Sequence, residues 1–295
     1  MTAENDFPGG FFALQQPVSL QMPFVFNSPH SGRIYPERFL RMSRLDRFAI
    51  RRSEDSYVDD LFGGVVPLGA PLLSAQFPRA YLDVNREPFE LDPKMFREPL
   101  PAHVNSRSAR VVGGLGTVPK LVGEGQEIYR SRIAYNEAAA RIDSYYLPYH
   151  HQLGQLLANT MTAFGSAVLV DCHSMPTSVR NADTGARPDF IIGDRFGTSA
   201  SSSLSQTAIV LLTSMGYSVA HNRPYAGGFI TEHYGRPAQG VHAIQIEINR
   251  GLYMNERTLQ KTVGFEPLAE DLTRFCAALA AIWSDMSWTT PLAAE

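Results

Sequence analysis

Phe24-Val25-Phe26-Asn27-Ser28-Pro29-His30-Ser31-Gly32 decides how this chain reads. An apolar run with the look of a buried strand stops at Asn-Ser-Pro, and a histidine stands where the chain leaves the sheet. The pattern recurs at Ala167-Val168-Leu169-Val170-Asp171-Cys172-His173-Ser174. In open α/β sheets ligands bind beyond the carboxyl ends of strands. Two imidazoles at two such ends can meet in one pocket and hold a metal. Working outward, strands are predicted at 23–28, 65–68, 79–85, 166–171, 189–193, 217–221 and 241–248. Helices are predicted at 36–50, 54–62 with Ser53 at its N-terminus, 127–164 (broken or kinked at Pro148), 199–215 and 256–283. Strands alternating with helices of this length predict an α/β fold, with a largely parallel or mixed sheet.

Residues 1–22 read as a loose lead-in and 23–295 as a single α/β domain. That domain carries a Pro- and Gly-rich excursion at 87–126, and loops of such length usually serve a site. The chain has 295 residues, 44% of them hydrophobic, enough for a substantial core. A net charge of −3 and a pI near 6.2 argue against a nucleic-acid footprint or a polybasic membrane anchor. Two cysteines, Cys172 and Cys276, give no disulfide framework and suit a reducing cytoplasm. The start, Met1 to Asp6, lacks the basic and apolar regions of a signal peptide, and no apolar run approaches the ~20 residues of a membrane span.

A hydrolytic zinc site usually takes three protein ligands and leaves a position open for water. His30 and His173 supply two. The third is a carboxylate at the start of the helix predicted from residue 54, Glu54 or Asp55, with Asp55 favoured. A base is also needed. In Val241-His242-Ala243-Ile244-Gln245-Ile246-Glu247-Ile248-Asn249 the isoleucines share one face, and Gln245, Glu247 and Asn249 the other. Glu247, a carboxylate on a buried strand, suits a general base and acid. A structural pairing of Glu247 with Arg250 is the plainer alternative. Asn85 and Arg86 place an amide and a planar guanidinium side by side, a clamp for a substrate carboxylate. Arg180 and Arg223 are further candidates for that task. His233, in the Gly-rich stretch 222–240, is a second catalytic candidate that can polarise a carbonyl or contact substrate, or simply pack beside Tyr234.

Taken together, Ser28-Pro29-His30-Ser31-Gly32, Glu54-Asp55, Leu82-Asp83-Val84-Asn85-Arg86, Asp171-Cys172-His173-Ser174, Pro188-Asp189-Phe190, Gly227 to Gly235 and Gln245-Ile246-Glu247-Ile248 resemble the N-formylglutamate amidohydrolase family over roughly residues 23–256. The resemblance implies a three-layer α/β/α fold akin to the zinc exopeptidases. It implies one Zn2+ per chain, or another divalent metal, on His30, Asp55 and His173, with Glu54 as the substitute ligand. Glu247 then stands as the catalytic glutamate, with Asn85 and Arg86 on the substrate carboxylate. The implied reaction converts N-formyl-L-glutamate to formate and L-glutamate, a late step of histidine catabolism in some bacteria. The segment 87–126 and Met175-Pro176-Thr177 depart from the family's pattern and would shape the acyl and side-chain pockets. The competing expectations are a deacylase, carboxypeptidase or cell-wall amidase acting on another N-acyl or peptide substrate, and a non-catalytic binder of a small acidic ligand.

Overall fold

The computed structural model describes residues 6–123, 125–181 and 184–288. In chain order the elements are β1 (Phe12–Gln15), β2 (Phe24–Ser28), α1 (Glu37–Met42), α2 (Val58–Leu61), β3 (Leu72–Ala75), α3 (Ala109–Val112), α4 (Tyr135–Arg141) and α5 (Leu147–Phe164). They continue with β4 (Ala167–Met175), β5 (Phe190–Gly193), α6 (Ser202–Ser214), β6 (Val219–His221), α7 (Phe229–Tyr234) and β7 (Val241–Asn249). A small hairpin, β8 (Met254–Asn255) and β9 (Gln260–Lys261), precedes α8 (Phe265–Trp288). Seven strands form one sheet in the order β1-β3-β2-β4-β7-β5-β6. β2 with β4, β4 with β7, and β5 with β6 run parallel, while β5 opposes β7. The α/β class and the mixed, largely parallel sheet are as the sequence predicts. No described helix is long and apolar enough to cross a membrane.

Several boundaries differ from expectation for identifiable reasons. The segment 79–85 is a turn and not a strand: Pro78 O accepts the N–H groups of Tyr81 and Leu82, and Asp83 N–H reaches Thr117 O. Its alternation reflects Leu82, Asp83 and Val84 all being buried. The strand expected at 65–68 falls instead at β3, and a short strand, β1, lies within the lead-in, whose first five residues are outside the described ones. The helix expected over 36–50 stops at Met42, because Ser43 is extended and Arg44 N–H goes to Ile128 O. Residues 127–134 are not helical. Their main chain bonds to Lys120, Met42 and Met95 instead. A π-helical segment, Ile142–Tyr146, joins α4 to α5, where Pro148 supplies no N–H to the helical ladder. The C-terminal helix begins later than expected, at Phe265, after the small hairpin.

The chain divides into two compact units. One comprises residues 29–56 and 73–154 with the segment up to Ala13. Its interior is aromatic. The Phe7 ring meets Phe77, Tyr81 and Tyr145 edge-on at 5.1–6.0 Å. Arg141 is wholly buried there with its guanidinium 4.0 Å over Tyr81, donating to Tyr81 O, Tyr129 Oη and Glu137. A buried cation survives only with such full pairing.

The other unit comprises residues 14–28, 57–72 and 155 onward. Period-two alternation sorts its central strands into two faces. Phe24, Phe26, Val168, Val170, Cys172, Ile244, Ile246 and Ile248 form a dry core with Val58 and Leu61 of α2, Leu204 and Leu212 of α6, and Leu272, Phe275 and Leu279 of α8. The opposite face carries Asn27, Asp171, His173, Gln245, Glu247 and Asn249, all buried. Polar side chains enclosed in that way must find partners or ligands.

Candidate metal centre

β4 does not end at Asp171. It runs on to Met175 and pairs with β7 throughout, so His173 sits inside the sheet, opposite Glu247 in register. Asp171 lies two residues earlier on the same face and opposes Gln245. Its Oδ2 is 2.9 Å from His173 Nε2, and its Oδ1 accepts from Asn27 Nδ2 at 2.8 Å.

His30 follows β2, and Asp55 N–H donates to His30 O at 3.0 Å, tying the two segments together. His30 Nε2 stands 2.8 Å from Asp83 Oδ1. Asp83 also receives Arg79 Nε at 2.9 Å and its own turn's Asn85 N–H at 2.9 Å. Burial opposes the Asp83 charge, yet Arg79, Arg86 and His30 outweigh it and hold the carboxyl well below the usual range.

A carboxylate oxygen accepts, so Nε2 of each imidazole is the donor in these pairs, and in the neutral ring Nδ1 is then left to face a ligand. Tethering of this kind, one nitrogen on a carboxylate and the other turned to the metal, is what metal-ligating histidines show. His30 Nδ1 lies 3.5 Å from Asp55 Oδ2, close to the ~3.3 Å separating two donors each ~2.0 Å from a shared tetrahedral ion. His30, Asp55 and His173, all buried, each offer one ligand atom, and these atoms lie within 4.8 Å of one another. Two imidazoles and one carboxylate form a donor set that suits a catalytic divalent metal. The grouping is the one singled out from the sequence.

Glu54 stands outside it. Its carboxylate accepts from Tyr35 Oη at 2.6 Å, Ser56 Oγ at 3.0 Å and both Nε and Nη2 of Arg51 at 2.9 Å. Glu247 accepts from Gln245 Nε2 at 2.9 Å, while Gln245 Oε1 takes the Gly228 N–H at 2.8 Å. Since an N–H can only donate, Gly228 fixes the amide's orientation and turns its NH2 to Glu247. Arg250 donates from Nε to Ser174 Oγ at 3.1 Å.

Asn85 and Arg86 are buried in the turn after Asp83. Arg86 Nε and Nη1 donate to the carbonyls of Leu115 and Asn85, and Nη2 lies 3.6 Å from Asp83 Oδ2. Desolvation pulls the Arg86 pKa down to about 10, which leaves it charged at neutral pH. Arg180 and Arg223 are exposed, the former donating to Gly185 O at 3.0 Å. His233 is exposed on α7, stacked on Phe229 at 5.0 Å and edge-on to Tyr234. Desolvation and the charge of Arg236 lower its pKa. Sequence reasoning gave no role to Asp83 or Asp171. The i, i+2 spacing of Asp171 and His173 on one strand is a signal that can be read. Nothing in the spacing reveals Asp83 as the partner of His30.

The model of the family described as "N-formylglutamate amidohydrolase" matches residues 22–254. An N-formylglutamate deformylase of Pseudomonas aeruginosa is 29% identical over 241 residues, covering 80% of this chain and 84% of the relative. One from Pseudomonas putida is 27% identical, covering 80% and 83%. The crystal structure of N-formylglutamate amidohydrolase from Ralstonia eutropha JMP134 superposes with a TM-score of 0.86 at 34% identity, covering 92% of this chain and 97% of that one. A match of this extent, together with the preserved order of motifs, shows that the chain belongs to the N-formylglutamate amidohydrolase family.

Proposed function

We propose that this protein hydrolyses the amide bond of N-formyl-L-glutamate to formate and L-glutamate, using a divalent metal, zinc foremost, held by His30, Asp55 and His173. The observation that carries this reading is the buried two-histidine, one-aspartate group, each of its imidazoles tethered by a carboxylate, in a chain whose matched relatives are named deformylases. A divalent ion on such a donor set supplies Lewis acidity and makes water acidic enough to attack at neutral pH.

The chain's own residues do the rest. Glu247, opposite His173 in the ladder, takes the proton of the attacking water and passes it to the amine nitrogen as the carbon–nitrogen bond breaks. The Gln245 amide holds one of its oxygens, which aims the other. Asn85 and Arg86 take the substrate carboxylate, with Arg86 Nη2 as the donor not already given to a carbonyl, and so orient the formyl group. Arg180 and Arg223, both exposed, stand as further contacts for the substrate, and His233, exposed on α7, as a group that can polarise the scissile carbonyl. On this reading the reaction belongs to histidine catabolism and takes place in the cytoplasm.

The test is metal analysis of the purified protein with a formate-release assay on N-formyl-L-glutamate, with and without zinc. About one metal per chain and metal-dependent formate release is expected. Metal without formate release, but with release from an acetyl- or succinyl-amino acid, would reassign the acyl group. Glu247→Gln is expected to keep its metal and lose turnover by a factor of roughly 10²–10⁴. A near-normal rate in that variant would remove Glu247 as the base.

A further inference from the structure

The excursion after Arg86, together with the segment after α1, frames an open cavity of about 180 Å3 that the proposed reaction does not use. Its wall carries Arg44, Lys94, Lys120, Arg130 and Arg132 against one acid, Glu127. Glu127 pairs with Arg44 at 2.9 Å and with Lys120 at 3.3 Å. Arg130 Nε donates to Ser43 O at 2.7 Å. Lys94 and Arg132 are exposed and make no side-chain hydrogen bond or ion pair to the described residues. Five cations and one anion leave a wall charge of +4, on a chain whose net charge is −3.

The wall is built and not incidental. Arg44 N–H bonds to Ile128 O at 2.8 Å, Arg130 N–H to Met42 O at 3.0 Å, Ile128 N–H to Lys120 O at 2.8 Å and Ile133 N–H to Met95 O at 2.8 Å. Four separate segments are thus locked by main-chain bonds with their cationic side chains around one space. Convergent like charges repel, and an anion between them removes that cost. Arginine forks and lysine ammonium groups together are the usual reading set for phosphate oxygens.

We infer that this cavity binds a small phosphate-bearing polyanion, with a diphosphate group as the unit recognised. The inference does not rest on the proposed deformylase chemistry. The cavity is open on one side, so a nucleoside attached to the diphosphate would extend into solvent.

The experiment is calorimetric titration of the purified protein with sodium pyrophosphate, with ADP and with orthophosphate at constant ionic strength. The comparison proteins are the Lys94→Ala/Arg132→Ala double variant and the His173→Ala variant, both checked for a native melt. Pyrophosphate binding that weakens at least tenfold in the double variant, and persists in His173→Ala, is expected. Equal affinity for ADP identifies a nucleoside-borne diphosphate as a source, and binding of pyrophosphate alone identifies the free anion. Absence of binding at millimolar pyrophosphate overturns the inference. So does affinity unchanged in the double variant, or lost only in His173→Ala, since the anion would then sit on the metal centre. Formate release from N-formyl-L-glutamate is measured in parallel, so a failed deformylase assignment stays distinguishable from a failed anion site.

Discussion

Gly32→Ala is a test of whether the loop after β2 sets the metal centre. A Cβ at residue 32 would stand 2.0 Å from Phe77 O, 2.5 Å from Phe77 C and 2.7 Å from Gln76 C, all of them backbone atoms. Reaching even 3.0 Å from that oxygen requires the loop to move by about 1 Å. Nothing flexible is available to give way, because Ile34 N–H is bonded to Gln76 O at 3.1 Å and draws the same two segments together. The displaced loop carries His30 two residues upstream, whose ring is held at 2.8 Å from Asp83 and 3.5 Å from Asp55. A shift of that size exceeds the tolerance of both. Overpacking of this kind costs about 1–3 kcal/mol of stability, and a misplacement of ~1 Å at a reacting centre costs about 10²-fold in rate. The assay is threefold: urea unfolding, zinc affinity by competition with a chromophoric chelator, and kcat/KM for formate release. A variant with native stability, zinc affinity within twofold and unchanged kcat/KM would refute the reasoning.

Other outcomes follow from the same geometry. Asp83→Asn and Asp171→Asn each remove the negative charge that fixes an imidazole and offer it a neutral amide instead, and zinc affinity is expected to fall about 10–100-fold with the sheet intact by circular dichroism; unchanged chelator competition would count against carboxylate tethering. His242 is desolvated against Trp283 at 4.8 Å and accepts Ser201 N–H on Nδ1, which lowers its pKa below the ordinary value. The unfolded chain therefore binds the proton more readily, so stability is full above ~6.5 and declines as pH falls below it. Urea unfolding at pH 7.5 and 5.5 should show a smaller loss for His242→Asn than for the parent, and an equal loss would exclude His242 as the cause. Cys172 and Cys276 are buried, and desolvation raises both thiols. A thiol reagent should thus titrate none in the native protein at neutral pH and two in denaturant.

Much of the fold was legible because the apolar runs at 24–28, 167–170 and 241–248 are long and β-branched or aromatic, and little else can be made of them. The grouping of His30, Asp55 and His173 was legible for the same reason, as each histidine follows one of these apolar runs. The part that escaped is informative. Strand β4 was cut short at Asp171 because polar residues normally end a strand, yet here they continue it on a face where each has a partner. The apparent strand at 79–85 misled because burial on all sides of a turn mimics alternation. Asp83 was silent because its partner lies 53 residues away, and only the folded chain brings them together. The choice between Glu54 and Asp55 likewise depended on Tyr35, Arg51 and Ser56 claiming the first of them.

The pairing of His173 with Glu247 across β4 and β7 has a consequence for how this family can change. Adjacent strands sit ~4.8 Å apart whatever their side chains, so the interval between these two groups is graduated by the peptide backbone itself. Insertions or deletions after Met175 or Asn249 can remodel the walls around a substrate without altering that interval. A slip of one residue in either strand would turn that strand's group into the dry core and part it from the other. The sheet therefore acts as a fixed ruler, beside which the loops can drift while the spacing of His173 and Glu247 is inherited unchanged.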